Sequence, residues 1–219
     1  MKNAIIKTSL EQFLKHGIRK TSMQKLVGPL GISTKTVYKY FTNKEDLLRE
    51  ALLYYYDQHY QAFERYSEKE NVVVLLCSTW YIAMETETKV NQIFFHDLLY
   101  YYTELNEKIY ALSIKKFVKI FIRIIKRGIN EGLFKEDIVP ELVLHGMFIL
   151  YTAIVRNNHL KKLNLIPLDL LRNTLLIYIS GICTRKGIQQ FDEHVQNLQL
   201  LEKPGHIQKK VSVNPLNLN

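Results

Sequence analysis

Cysteine is scarce in this sequence: Cys77 and Cys183 are the only two among 219 residues, and neither stands in a CxxC or Cys/His spacing. Two scattered thiols argue against a disulfide framework and fit buried side chains in a reducing compartment. Proline and glycine are also few, five and nine respectively, so long stretches run without a helix breaker. The longest apolar run, Leu142 to Val155, contains His145 and Gly146 and is too short to span a bilayer. The start, Met1-Lys2-Asn3-Ala4-Ile5-Ile6-Lys7, lacks the apolar run of a signal peptide. A cytoplasmic protein without a membrane partner is therefore expected. Catalytic signatures are missing too. The seven histidines, at 16, 59, 96, 145, 159, 194 and 206, fall in no HExxH or similar spacing. There is no GxSxG, Walker loop or dinucleotide fingerprint either. No metal and no cofactor is expected, and nothing in the chain asks for an enzyme.

What is present is enough apolar residue to fill a core: 47% of the chain is hydrophobic and 23% charged, which excludes disorder by composition. The formal charge is +9, and it is uneven. Residues 1–61 hold ten Lys/Arg against five Asp/Glu, whereas 62–219 hold twenty against sixteen. The basic excess is densest at the N-terminus, as a surface that meets phosphates requires.

Apolar spacing reads as helix throughout. Ile5 or Ile6, Leu10, Phe13 and Leu14 recur along a first helix, with Gly17 as its stop. Thr21 or Ser22 caps a short second helix through Leu26 and Val27. Gly31-Ile32 makes a tight break, and Ser33 caps a third helix, Thr34 to Phe41. Lys44-Glu45-Asp46 opens a long fourth helix to about Tyr66. Further helices are expected near 71–87, 91–105, 107–131, 138–157 and 168–185, with turns at Gly132-Leu133-Phe134 and Asn157-Asn158-His159. A short amphipathic run carries Phe191, Val195, Leu198 and Leu201 on one face, and the chain from Pro204 on is expected to be mobile. The predicted fold class is all-α.

The segment from Thr21 to Glu45 has the form of a helix-turn-helix: a short helix, a Gly-containing turn, and a second helix able to enter a major groove. Val37 and Phe41, four apart, form the buried face of the second helix. Thr34, Lys35, Tyr38 and Lys39 are left on the other side, with Thr36 and Tyr40 at its edges. That outward face carries hydroxyls, phenols and ammoniums and no carboxylate, so it can bond to phosphates and base edges without repelling a duplex.

With these residues in place, the sequence resembles the TetR family of bacterial transcriptional regulators. The resemblance rests on Phe13 and Gly17, then Thr21-Ser22, Leu26, Gly31-Ile32-Ser33, Thr36-Val37-Tyr38, Tyr40-Phe41, Asn43-Lys44-Glu45 and Leu47-Leu48. Gly128, Gly132-Leu133-Phe134 and Gly181-Ile182 continue it more weakly. The resemblance implies that Gln24, Thr34, Lys35 and Lys39 face DNA and that Thr36 and Tyr38 touch backbone or base edges. It also implies that Lys44 binds a phosphate. Tyr40 completes the expected DNA-binding set. Two departures stand out: Gly28-Pro29 replaces ordinary helix formers, so the second helix should end early or kink, and Leu30 replaces a usual small residue.

The resemblance further implies a three-helix DNA-binding domain, residues 1–45, and a larger helical ligand-binding and dimerisation domain, 46–187, leaving 188–219 as amphipathic segment and tail. The partners it implies are a palindromic double-stranded operator, a second copy of the chain through the helices near 138–157 and 168–185, and a small apolar or aromatic ligand. Trp80, Tyr81, Met84, Phe94, Phe95, Leu98, Phe117 and Phe121 are expected to line the ligand pocket, where rigid aromatic walls and an adaptable methionine would enclose it. Lys115, Lys116, Lys119, Arg123, Lys126 and Arg127 recur along one helix and read as a solvated face. The rival reading is a helical ligand carrier or interaction protein without DNA binding. The basic outward face of the third helix argues against it.

Overall fold

The computed structural model describes residues 1–65, 70–155 and 165–201, with helix as the dominant structure. The helices are α1 (Lys2–His16), α2 (Met23–Val27), α3 (Thr34–Val37), α4 (Lys44–Arg65), α5 (Val72–Thr88), α6 (Gln92–Tyr101), α7 (Thr103–Asn130), α8 (Pro140–Val155), α9 (Pro167–Arg172), α10 (Leu175–Ile182) and α11 (Arg185–Leu201). Extended pairing among the described residues is limited to a single antiparallel bridge, Phe134 to Cys183. None of the described helices is long and apolar enough to cross a membrane.

The described residues form two compact units, one within 1–61 and 89–116 and one within 62–88 and 117–201. In the first, Ile5, Leu10, Phe13, Ile18, Leu26, Val27, Val37, Phe41, Leu47, Leu48 and Phe94 make a continuous buried set. α1 supplies its part through the i, i+4, i+7, i+8 spacing that puts Ile6, Leu10, Phe13 and Leu14 on one stripe. Gly17 ends that helix with φ +81, a backbone state that L side chains avoid, and its N–H still donates to the Phe13 carbonyl at 2.9 Å. The α1 and α4 boundaries match the sequence reading. α2 ends at Val27, and Gly28–Leu30 follows as a 3₁₀ turn, the early stop that Pro29 imposes.

The second unit packs α5 with the later part of α7 and with α8 to α11. Val72, Val73, Leu76, Cys77, Met84, Phe121, Ile125, Phe134, Met147, Leu171, Leu175 and Ile179 are its most deeply buried apolar residues among those described. α7 ends in a tight reversal: Gly132 takes φ +67, and the Leu133 and Phe134 amides both donate to the Gly128 carbonyl. The reversed strand of chain is held by Lys135 N–H on Ile182 O and Thr184 N–H on Leu133 O. The Gly128, Gly132-Leu133-Phe134 and Gly181-Ile182 signals of the sequence therefore belong to one packing motif. Both thiols are buried and free, and burial lifts Cys183 to about 11 and Cys77 further, so both stay protonated.

Three expectations need correction. The helix expected over 91–105 stops at Tyr101, because Tyr102 leaves the helical region at φ −129, and α7 starts at Thr103. The helix expected over 168–185 is two, α9 and α10, broken at Thr174 with φ −139 and ψ −91. There the Asn173 amide donates back to the Asp169 carbonyl at 2.8 Å, a side-chain bond of the kind that competes with helix continuation. The third helix, expected over Thr34 to Phe41, is α-helical only through Val37. Tyr38 and Phe41 still close i+4 bonds, whereas Lys39 and Tyr40 turn through the tighter i+3 kind. The Asn157-Asn158-His159 turn, the side chains of Leu198 and Leu201, and the tail from Pro204 lie outside the described residues.

Gly128 explains why α7 needs a glycine two turns' reach from a bulky ring. A Cβ there would run into the ring of Phe134, which is fully buried and cannot yield. Gly128→Ala should destabilise the protein by about 1–3 kcal/mol, as overpacking of a filled core does, despite alanine's better helix propensity. A urea midpoint at or above wild type would contradict this packing.

Candidate nucleic-acid interface

α3 has four residues, too few to persist alone, so its surroundings must fix it. Ser33 caps it, its hydroxyl accepting from the Thr36 N–H at 3.3 Å. Val37 and Phe41 are buried at 0% and 2% exposure and anchor it to the core of the first unit. Gly31 makes the preceding turn in the left-handed region with φ +63. On α2 the sequence left Thr21 and Ser22 as alternative caps. Ser22 is the cap, accepting from Lys25 N–H, while Thr21 is buried and donates its hydroxyl to the Gly17 carbonyl at 2.7 Å.

With Val37 and Phe41 inside, the other side chains are forced outward. Gln24, Lys35, Tyr38, Lys39 and Tyr40 are exposed, Tyr38 by 54% and Tyr40 by 43%, while Thr34, Thr36 and Lys44 are partly covered. Thr36 is drawn toward the cap, its hydroxyl 3.1 Å from that of Ser33. Lys44 donates from Nζ to the Arg19 carbonyl at 3.3 Å. Burial pushes its pKa down, and the Asp97 carboxylate opposes that shift. The charge pattern is broader than the outward face suggested: from Glu11 to Glu45 the chain holds seven Lys/Arg and no carboxylate between those two residues. The acids return at the start of α4. Asn43 Oδ1 accepts from Asp46 N–H at 2.8 Å, and the Asp46 carboxylate accepts from Thr42 N–H at 3.0 Å, closing a reciprocal cap.

Residues 5–51 match the family described as "Bacterial regulatory proteins, tetR family". This N-terminal segment is thus similar to the TetR-family regulatory domain. No curated protein matches the sequence. Solved structures with the same fold include the fatty acid degradation regulator FadR from Bacillus halodurans, 20% identical, with a TM-score of 0.66 over 82% of this chain and 95% of that one. A TetR-family regulator from Cytophaga hutchinsonii is 19% identical, with a TM-score of 0.68 over 84% and 96%. FadR from Bacillus subtilis, solved in complex with stearoyl-CoA, is 21% identical, with a TM-score of 0.63 over 83% and 100%. These likenesses support the two-part helical TetR-family architecture of an N-terminal helix-turn-helix and a larger helical remainder.

The eight residues expected to line a ligand pocket are divided. Trp80, Tyr81, Met84, Phe117 and Phe121 lie in the second unit, and Phe94, Phe95 and Leu98 on α6 in the first. In the second unit Trp80 meets Phe117 edge-on at 6.5 Å between centroids, and Phe117 lies 6.0 Å from Phe121. Phe148 and Tyr151 on α8, which are outside the eight expected residues, complete the cluster at 5.8 and 5.3 Å from Trp80. The Trp80 indole N–H is buried and meets no acceptor among the described residues. A separate surface hollow of about 620 Å³ in the first unit is lined by Lys7, Tyr54, Asp57, Lys116 and neighbours, and by none of the eight.

The Asp46 cap carries a pH dependence. Its pKa is lowered chiefly by the Thr42 N–H and then by Arg49, so the ionised form favours the folded state. That contribution is complete above the ordinary aspartate range and is lost as pH falls through the lower folded value. Asp46→Asn should therefore cost about 1 kcal/mol near neutral pH, the scale of a helix cap, with the gap to wild type closing in acid. Urea midpoints of both proteins across that range check it, and a gap that stays constant would remove the carboxylate from the account.

Proposed function

We propose that this chain is a cytoplasmic repressor that binds a palindromic operator as a homodimer and leaves it when a small apolar or aromatic ligand binds. The carrying observation is the exposed, carboxylate-free face around α3, set on a capped helix whose buried residues dictate its orientation. Residues 1–45 form the reading head, 46–187 the sensor and dimer domain, and 188–219 an accessory segment. In the head, Thr34, Lys35 and Lys39 face base edges with Gln24. Thr36, Tyr38 and Tyr40 touch backbone and edges, and Lys44 holds a phosphate. Nothing in this role calls for catalysis.

A second copy would cover α8 and α10. Leu142 and Ile149 on α8 and Ile177 on α10 are exposed by 67%, 56% and 63%, an apolar display that a monomer gains nothing from. The two helices lie side by side, with Tyr178 against the backbone of Gly146. A two-fold dimer through them would present two reading heads to one palindrome. For the ligand, the Trp80–Phe117–Phe121 cluster supports an apolar class, and the unpartnered Trp80 N–H offers a point for one acceptor on it. The stearoyl-CoA in the Bacillus subtilis FadR complex joins a long apolar chain to a multiply anionic group, and its acyl chain is the part that agrees with the apolar class. Release requires the ligand to prefer one of two states, typically by about 1–3 kcal/mol.

Binding to duplex DNA across a salt series tests the head. Lys44→Ala should weaken binding to all sequences and flatten the dependence of log K on log salt by about 0.9, the value for one phosphate contact. Lys35→Ala should relax sequence preference more than Lys44→Ala does. Salt-insensitive or absent binding by the wild type would favour the ligand-carrier reading instead.

The dimer is tested separately by sedimentation. Ile177→Asp should shift the protein to monomer at micromolar concentration without loss of helix content. A wild type that is already monomeric overturns the assembly.

A further inference from the structure

α6 is fastened to the end of α1. Helix ends leave carbonyls open, and two of those at the end of α1 are met by Asn91, just ahead of α6: its N–H donates to Leu14 O and its side-chain amide to Lys15 O, both at 3.0 Å. Gly17 then turns the chain, and the next two amides have one acceptor. Ile18 N–H and Arg19 N–H both donate to Oδ2 of Asp97 on α6, each at 2.8 Å. Asp97 is 4% exposed and stands 79 and 78 positions away in sequence. A buried carboxylate is costly unless bonded, and these charge-assisted bonds are what it gains.

Arg19, held at its N–H by this carboxylate, makes two further contacts. Its carbonyl accepts from Lys44 Nζ, and the Arg19 guanidinium lies 3.9 Å from the centroid of the Tyr101 ring, also on α6. Arg19 thus has Asp97 at its N–H and Lys44 at its carbonyl, on two successive peptide planes joined at its Cα, with the ring contact to Tyr101 as a further tether. We propose that Asp97 is a positioning residue for DNA binding: through the Arg19 backbone it fixes where Lys44 sits, so α6 governs how the reading head meets the phosphates. This rests on the reading that Lys44 contacts a phosphate. One Asp97 oxygen takes both amides, so the geometry asks for an acceptor atom at that point, which an asparagine oxygen can also supply.

The test uses the full chain and a random-sequence duplex over a salt series, with helix content and urea midpoint measured for each variant. Asp97→Ala should weaken binding about tenfold and lower the salt slope by about 0.9, the same loss as Lys44→Ala. The double variant should have the slope of either single one. Asp97→Asn should keep the wild-type slope and most of the affinity. A merely structural role would lower stability and leave the slope alone. If Asp97→Ala does not fold, Asp97→Glu carries the test, since its extra methylene displaces the oxygen and should lower the slope toward that of Lys44→Ala. A folded Asp97→Ala or Asp97→Glu with the wild-type slope overturns the proposal, as does a further unit of slope lost in the double variant or an Asp97→Asn that behaves like Asp97→Ala. A wild type that binds no duplex removes the DNA-binding reading itself and this inference with it.

Discussion

Four residues do not hold a helix in water, and the outward display of this reading head depends on making α3 hold. Burial of Val37 and Phe41 supplies the anchor. Once those two side chains are inside, the short helix and the tight turn after it leave Lys35, Tyr38 and Lys39 in solvent. The helix is fixed at its start by Ser33 and approached through Gly31, whose positive φ allows the chain to turn sharply enough for α2 and α3 to share one core. Pro29 fits into this scheme without harm. By ending α2 early it passes the chain into a 3₁₀ turn that Gly31 closes.

The reading head was largely legible in the sequence because its rules are local. Caps, a left-handed glycine and an i, i+4 apolar pair are decided within a few residues, and Ser22, Gly31, Ser33, Val37 and Phe41 all take the roles their chemistry suggests. Breaks inside apolar runs were less legible. The sequence around Asn173 and Thr174 carries neither glycine nor proline, and the stop there comes from polar side chains returning to carbonyls one turn back. Periodicity does not register such a stop. The bridge of Phe134 with Cys183 was equally hidden, since it joins residues 49 positions apart.

Long-range polar contacts mark the limit of sequence reading most clearly. Asp97 in the run Phe95-His96-Asp97-Leu98 looks like an ordinary helix carboxylate, and its neighbour His96 draws attention first. Only the fold reveals that it meets the two amides left open behind Gly17. Glycine at 17 gave half of that signal. Its positive φ was inferable as a helix stop, but the close approach of Ile93, 2.5 Å from where a Cβ would stand, was not.

The charge pattern links these levels. A stretch free of carboxylates from Glu11 to Glu45 lets the head approach a polyanion, yet it also leaves the region without internal counter-charges. Of the carboxylates that return, Asp46 turns back to cap α4 and Asp97 comes from α6 and is buried, while Glu45 stays exposed beside Lys44. Lys44 lies within the influence of Asp97, which supports its charge against burial without forming an ion pair with it. An ammonium held to a carbonyl rather than to a carboxylate keeps its charge unneutralised by its bonded partner. The same arrangement explains why an acid so near the reading head does not spoil it. Asp97 is spent on two backbone amides, and its negative charge stabilises the scaffold instead of facing the duplex.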